Sequence, residues 1–170
     1  MKKFVFLFAL LLCVYGYSQD DNDNDPTAKG AWVIEVNTGS WTTGSTAFSL
    51  TSVDGTTIWS IGAEAGYFVT DDLAIKAGIG YADADVIDGT FTYKIGAKYY
   101  LSGVFPLGVD FTGISVEDMD ANWIGVQGGY ALFITDHIAI EPTVRYNITL
   151  DEMKADSAFQ GLIGFSIFLN

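Results

Sequence analysis

His137 is the only histidine and Cys13 the only cysteine among the 170 residues, so the side chains that most often do chemistry near neutral pH are nearly absent. Ester or amide hydrolysis needs an alcohol or a water to give up a proton, and imidazole is well suited to take it. A Ser-His or Asp-His arrangement has one place to form, at Thr135-Asp136-His137, a polar tripeptide of the kind that makes a tight turn. With no cysteine in the mature chain and no second histidine, a transition-metal site there is unsupported. The alternating acids of Asp20-Asp21-Asn22-Asp23-Asn24-Asp25-Pro26 invite a calcium reading. Counted from Asp21, however, the position that must be glycine is Pro26, and the one that must be a bidentate glutamate is Trp32. The residue types predict no catalytic residue, no cofactor and no metal.

The charges that remain are set singly into alternating segments. Glu35, Glu64, Lys76, Lys94, Lys98, Asp110, Glu141 and Arg145 all fall at the polar parity of period-two runs. In one such run Trp59, Ile61, Ala63, Ala65, Tyr67 and Val69 alternate with Ser60, Gly62, Glu64, Gly66 and Phe68. In another, Tyr93, Ile95, Ala97, Tyr99 and Leu101 alternate with Lys94, Gly96, Lys98 and Tyr100. No mature stretch has helical periodicity or the roughly 20 apolar residues of a membrane helix. The pattern predicts eight strands, over 31–39, 57–69, 73–82, 89–101, 104–113, 121–134, 138–149 and 157–169. Three tight connections, Thr70-Asp71-Asp72, Ser102-Gly103 and Thr135-Asp136-His137, alternate with longer acidic ones. In the first long connection, Ala47–Val53 followed by Asp54-Gly55 is a candidate extra hairpin. Phe68–Tyr81 also repeats as Phe133–Tyr146 at an offset of 65, each copy reading strand end, polar turn and alternating strand.

Composition narrows the class. The chain is 49% hydrophobic, 15% aromatic and 17% charged, with eight Lys and Arg against 21 Asp and Glu and a net charge of -13. That sign excludes a nucleic-acid binder, and that apolar content excludes a disordered acidic chain. Lys2 and Lys3 precede an apolar run, Phe4–Tyr15, too short to span a bilayer as a helix, so residues 1–19 are predicted to be a signal peptide. Leu12 is too large to precede a lipidated cysteine, and Cys13 is expected to leave with that peptide. Residues 20–29 read as an acidic flexible linker and 30–170 as one domain.

Which face looks outward decides the architecture. A soluble barrel turns its apolar face inward and covers the other with Lys, Glu and Gln. Here the second face is mostly Gly, Ala, Ser and Thr, while the first is large, aromatic and almost uninterrupted. Strands of that kind suit lipid outside and a narrow polar lumen inside. The predicted fold is an all-β, eight-stranded, antiparallel up-and-down transmembrane barrel with short periplasmic turns and longer extracellular loops. The secreted soluble barrel is the alternative. The mature chain, the Gly66–Ile75 run GYFVTDDLAI and the last strand, Phe159–Leu169, resemble the small outer-membrane barrels of the OmpA/OmpX/OmpW kind. This chain ends Phe168-Leu169-Asn170, where that family usually ends in an aromatic residue. The resemblance implies a Gram-negative outer membrane, contact with its lipid, and insertion by the barrel-assembly machinery; a monomer is expected.

A barrel then places four positive and four negative charges in one lumen, where unpaired charge is costly. Hairpin register predicts Glu64 beside Lys76, Asp110 beside Lys94, and Arg145 beside Gln127. Pro142, at a lipid-facing position inside a strand, predicts a local bulge. Asp83, Asp85, Asp88, Glu117, Asp118, Asp120, Asp151 and Glu152 are expected on outer loops. The function expected is non-enzymatic: envelope stabilisation or surface contact through acidic loops, with a lumen plugged by paired charges. A narrow channel for small or apolar solutes is the alternative.

Overall fold

The computed structural model describes residues 25–39, 48–53, 56–84, 87–116 and 119–170. The predicted signal peptide, with Cys13, lies outside them, as do Asp85, Glu117 and Asp118. Among the described residues ten strands follow one another: β1 (Trp32–Asn37), β2 (Ser49–Val53), β3 (Thr56–Thr70), β4 (Leu73–Ala84), β5 (Ile87–Leu101), β6 (Phe105–Val116), β7 (Met119–Gly129), β8 (Leu132–Thr135), β9 (Ile138–Thr149) and β10 (Ala158–Leu169). Every pairing is antiparallel, and β1 pairs with β10 on one side and β3 on the other, which closes the sheet. β7 and β8 occupy one position in the wall, and β2 only extends β3 beyond it, so the barrel has eight staves. The extra hairpin foreseen around Asp54-Gly55 is β2 with the start of β3.

Alternation sorts the side chains as the sequence suggests, large apolar out and charged in. Ile79, two residues from Ala77 on β4, is 65% exposed, whereas Lys98 is 3% exposed. The exterior carries aromatic contacts near both ends, Trp32 with Tyr67 and Phe105 with Tyr130 toward the short turns, and Trp59 with Tyr81 toward the other end. Leu101–Val104 turns through Ser102 and Gly103, both at positive φ, the conformation that suits the twist of a two-residue hairpin.

The internal repeat has a structural counterpart. Register shifts between Phe68 and Thr70 and again between Phe133 and Thr135, so the two segments share the same irregularity just before the turn.

Four expectations need correction. The strand expected over 121–134 is interrupted at Tyr130-Ala131, giving β7 and β8. Pro142 is the cause, and it produces no bulge. Gly129 faces Thr143 and Leu132 faces Ile140, so register is kept across the gap, and Ile163 faces Pro142 in an unbroken β9–β10 ladder. Tyr130 N still donates to Pro142 O at 3.1 Å, but proline has no N–H to return, and the ladder lapses for two residues. Two of the expected long loops are also shorter than foreseen. β4 runs to Ala84, β5 starts at Ile87, β6 runs to Val116 and β7 starts at Met119, so Asp83, Asp88 and Asp120 lie on strands. Asp151 and Glu152 do sit in a connecting loop, 150–157. Finally, the described part of the expected linker, 25–29, is hydrogen-bonded to the barrel: Asp72 N donates to Thr27 O at 2.9 Å, and Lys29 N to Asp71 Oδ1 at 2.9 Å.

Candidate functional site: the charged lumen

The lumen is filled in layers, each set by strand parity. At the short-turn end the layer is aromatic. Phe68 (β3), Tyr100 (β5) and Phe168 (β10) pack with ring centroids 5.9, 6.3 and 5.8 Å apart, and Phe133 stands 5.4 Å from Phe168. Ala31, Val33, Ala74, Ala131 and Ala139 complete it. Sequence reasoning assigned these inward aromatics no role, because period two marks Phe68, Tyr100 and Phe168 as exceptions on the polar face without showing that three distant strands bring them together.

Tyr100 joins this layer to the charges. Its hydroxyl donates to Glu141 Oε1 at 2.9 Å, and Ser166 Oγ donates to the same oxygen at 2.9 Å. Lys98 lies 5.0 Å from the centre of the Tyr100 ring and bridges Glu141 and Glu35, the latter at 2.8 Å. Lys76 bridges Glu35 and Glu64, 2.8 Å from the second, and Lys94 ends the series 2.7 Å from Glu64. The result is one chain of alternating sign: Glu141, Lys98, Glu35, Lys76, Glu64, Lys94.

Asp110 and Arg145 form a second unit. Arg145 presents Nη1 and Nη2 to the two oxygens of Asp110 at 2.5 and 2.6 Å, a fork that fixes both planes. Its remaining donors reach Asn147 Oδ1 at 2.7 Å, Gln127 Oε1 at 3.0 Å and Thr112 Oγ1 at 3.2 Å. Gly125 makes room for this: a Cβ there would stand 2.0 Å from Arg145 Nη2. Above, Trp123 packs with Ile114, Ala121 and Ala155, and its Nε1 donates to Asp156 O at 3.0 Å, which draws loop 150–157 over the mouth.

Glu64 meets Lys76, and Arg145 meets Gln127, as register predicts. Asp110 does not meet Lys94. Lys94 faces Gly78, which in turn faces Glu64, and a glycine between two staves leaves the lysine free to cross it. Asp110 is taken instead by Arg145, two staves away across Gly125. Among the described residues no buried side-chain nitrogen or oxygen lacks a hydrogen-bond partner. Two cavities beside the network measure about 20 and 10 Å³, each room for about one water. His137 is not among the residues of this network. It is exposed in the β8–β9 turn, where its carbonyl accepts from Phe168 N at 2.8 Å.

No family model matches the chain, and no curated protein sequence is similar to it. Solved structures do match. The crystal structure of the N-terminal β-barrel domain of Pseudomonas aeruginosa OprF aligns with a TM-score of 0.59, over 83% of this chain and 98% of that one, at 12% identity. The chain shares that barrel's fold. The solid-state NMR structure of the outer membrane protein AlkL in DMPC bilayers aligns with a TM-score of 0.39, over 92% of each chain, at 13% identity.

Proposed function

We propose that this protein is a non-enzymatic, non-conducting barrel of a Gram-negative outer membrane that stabilises the envelope or mediates surface contact through its acidic outer end. The observation that carries the reading is the lumen: four cations and four anions neutralise one another between an aromatic layer and a folded-over loop. A conducting pore needs a continuous wet path, whereas the two cavities described beside the network, about 20 and 10 Å³, each hold about one water. The outer face supports the membrane half of the proposal. Ile61, Ile79, Ile95, Val109, Val126, Val144 and Ile163 are each at least half exposed, an apolar belt that water would penalise and lipid accepts. Lipid is thus the principal partner, met as a monomer after insertion by the barrel-assembly machinery.

The test is planar-bilayer conductance of the purified barrel, run beside uptake of a small apolar dye into liposomes. Silence in both supports the structural role. Steady conductance or dye entry supports the narrow channel instead.

A further inference from the structure

Residues 25–31 form a strap across the base of the barrel. Asn170 Nδ2, beyond β10, donates to Asp25 O at 3.2 Å. Asp72 N in the β3–β4 turn donates to Thr27 O at 2.9 Å, and Gly30 N to Phe68 O on β3 at 2.9 Å. Since β1 stands between β10 and β3, the strap ties together the two sides of the closing seam.

At its centre Thr27 is 1% exposed, and its hydroxyl touches two carboxylates. Oγ1 lies 2.6 Å from Asp72 Oδ1 and 2.9 Å from Asp25 Oδ1, while the Thr27 N–H also points to Asp25 Oδ1 at 2.9 Å. A hydroxyl has one proton to donate. It can satisfy one carboxylate; the other contact sets lone pair against lone pair unless that carboxyl itself carries a proton and donates to Oγ1.

We propose that the strap closes around one shared proton, with Thr27 donating to Asp25 and accepting from Asp72, so that acid holds the base of the barrel shut and rising pH loosens it. Burial pushes the Asp72 carboxyl above the ordinary aspartate range; the Thr27 hydrogen bond opposes that, and the nearby charges of Asp25 and Asp71 add to it. The other neighbours are Lys29, whose side chain is exposed, the Tyr100 N–H on Asp72 O at 2.8 Å, and the uncharged Asn170. The sign follows from proton counting. Between the ordinary aspartate value and the raised one, the closed strap binds more protons than the open strap. Closure is therefore fully favoured below that interval and loses this contribution as pH rises through it.

A nitroxide on Lys29→Cys, in a chain without Cys13 reconstituted in phosphatidylcholine vesicles, reads the strap by its mobility between about pH 4 and pH 8. The mobile fraction is expected to rise severalfold toward the upper end. Asp72→Asn keeps a donor for Thr27 but cannot ionise, and should hold the label immobile throughout. Thr27→Val should leave it mobile throughout. A mobile fraction equal at both ends in the parent overturns the proposal, and so does a pH response that survives Asp72→Asn. If Asp72→Asn fails to show the boiling-dependent gel shift of a folded barrel, Thr27→Ser, which keeps the hydroxyl, takes its place: it should retain the pH response that Thr27→Val loses, and a response lost in Thr27→Ser or kept in Thr27→Val overturns the proposal.

Discussion

Glu35 on β1 and Glu64 on β3 face each other directly in the closing seam, and Lys76 reaches both of them. Like charges directly opposite on paired strands repel, so the last pairing of the barrel depends on a cation supplied by a third strand. β1 meets β3 over four residue pairs, and only the Gly30 N–Phe68 O and Phe68 N–Ala31 O hydrogen bonds carry the pairing further toward the base.

Lys76→Met should therefore weaken the seam more than its one side chain suggests. Breaking a buried ion network by removing one partner costs about 3–5 kcal/mol, because the remaining charges stay buried. Urea unfolding in vesicles should show a loss of that size, and Lys76→Met with Glu64→Gln should recover part of it. A double variant no more stable than the single one would contradict a bridging role.

Shortening charges alone should not open the lumen. Replacing Glu35, Lys76, Lys98 and Glu141 together by alanine empties the middle layer but leaves Phe68, Tyr100 and Phe168 stacked below it. Single-channel recording should remain quiet for that variant and show a pore once Tyr100→Ala and Phe168→Ala are added. Current through the first variant would mean that the aromatic layer does not seal.

Gly125→Ala should disturb the Arg145–Asp110 fork. The added methyl falls within 2.0 Å of a guanidinium held by five hydrogen bonds, so the group cannot swing aside freely. Overpacking of this kind costs about 1–3 kcal/mol. Shortening Arg145 to lysine in the same chain should relieve the crowding, read as a smaller Gly125→Ala penalty in that background.

Pro142→Ala should mend the wall. The new N–H faces Tyr130 O, and one restored hydrogen bond contributes about 0.5–1.5 kcal/mol net. Slower amide exchange at residues 130–132, with a protected new amide at 142, is the signature to seek; unchanged exchange at 130–132 would show that something other than the missing N–H interrupts β7 and β8.

Arginine on the two faces should separate lipid from lumen. Ile79→Arg places a cation on the exposed belt and should cost roughly 2–4 kcal/mol near the midplane, with Ile75→Arg, nearer a turn, costing less. Thr143→Arg points toward Glu141 and should fold into vesicles more readily than Ile79→Arg, with alanine at both sites as the size control. The reverse order would exchange inside and outside.

Period two alone determined that Lys76, Lys94, Lys98, Arg145, Glu35, Glu64, Glu141 and Asp110 share one surface, because a strand's parity is a local property of its own residues. It also marked the β3–β4 and β8–β9 hairpins, whose turn residues act over a few positions. Partner choice within the lumen was decided only by the closed barrel. Whether Lys94 meets Asp110 or Glu64 depends on which staves lie two apart and on a glycine between them, and strand order and stagger are global quantities. The same holds for Phe68, Tyr100 and Phe168, and for Thr27 against Asp72, 45 residues on. Pro142 shows the boundary most clearly: the sequence locates the missing N–H, but the gap opens at Tyr130, on the neighbouring strand, because a hydrogen bond belongs to two chains of atoms and only the fold brings the second one alongside.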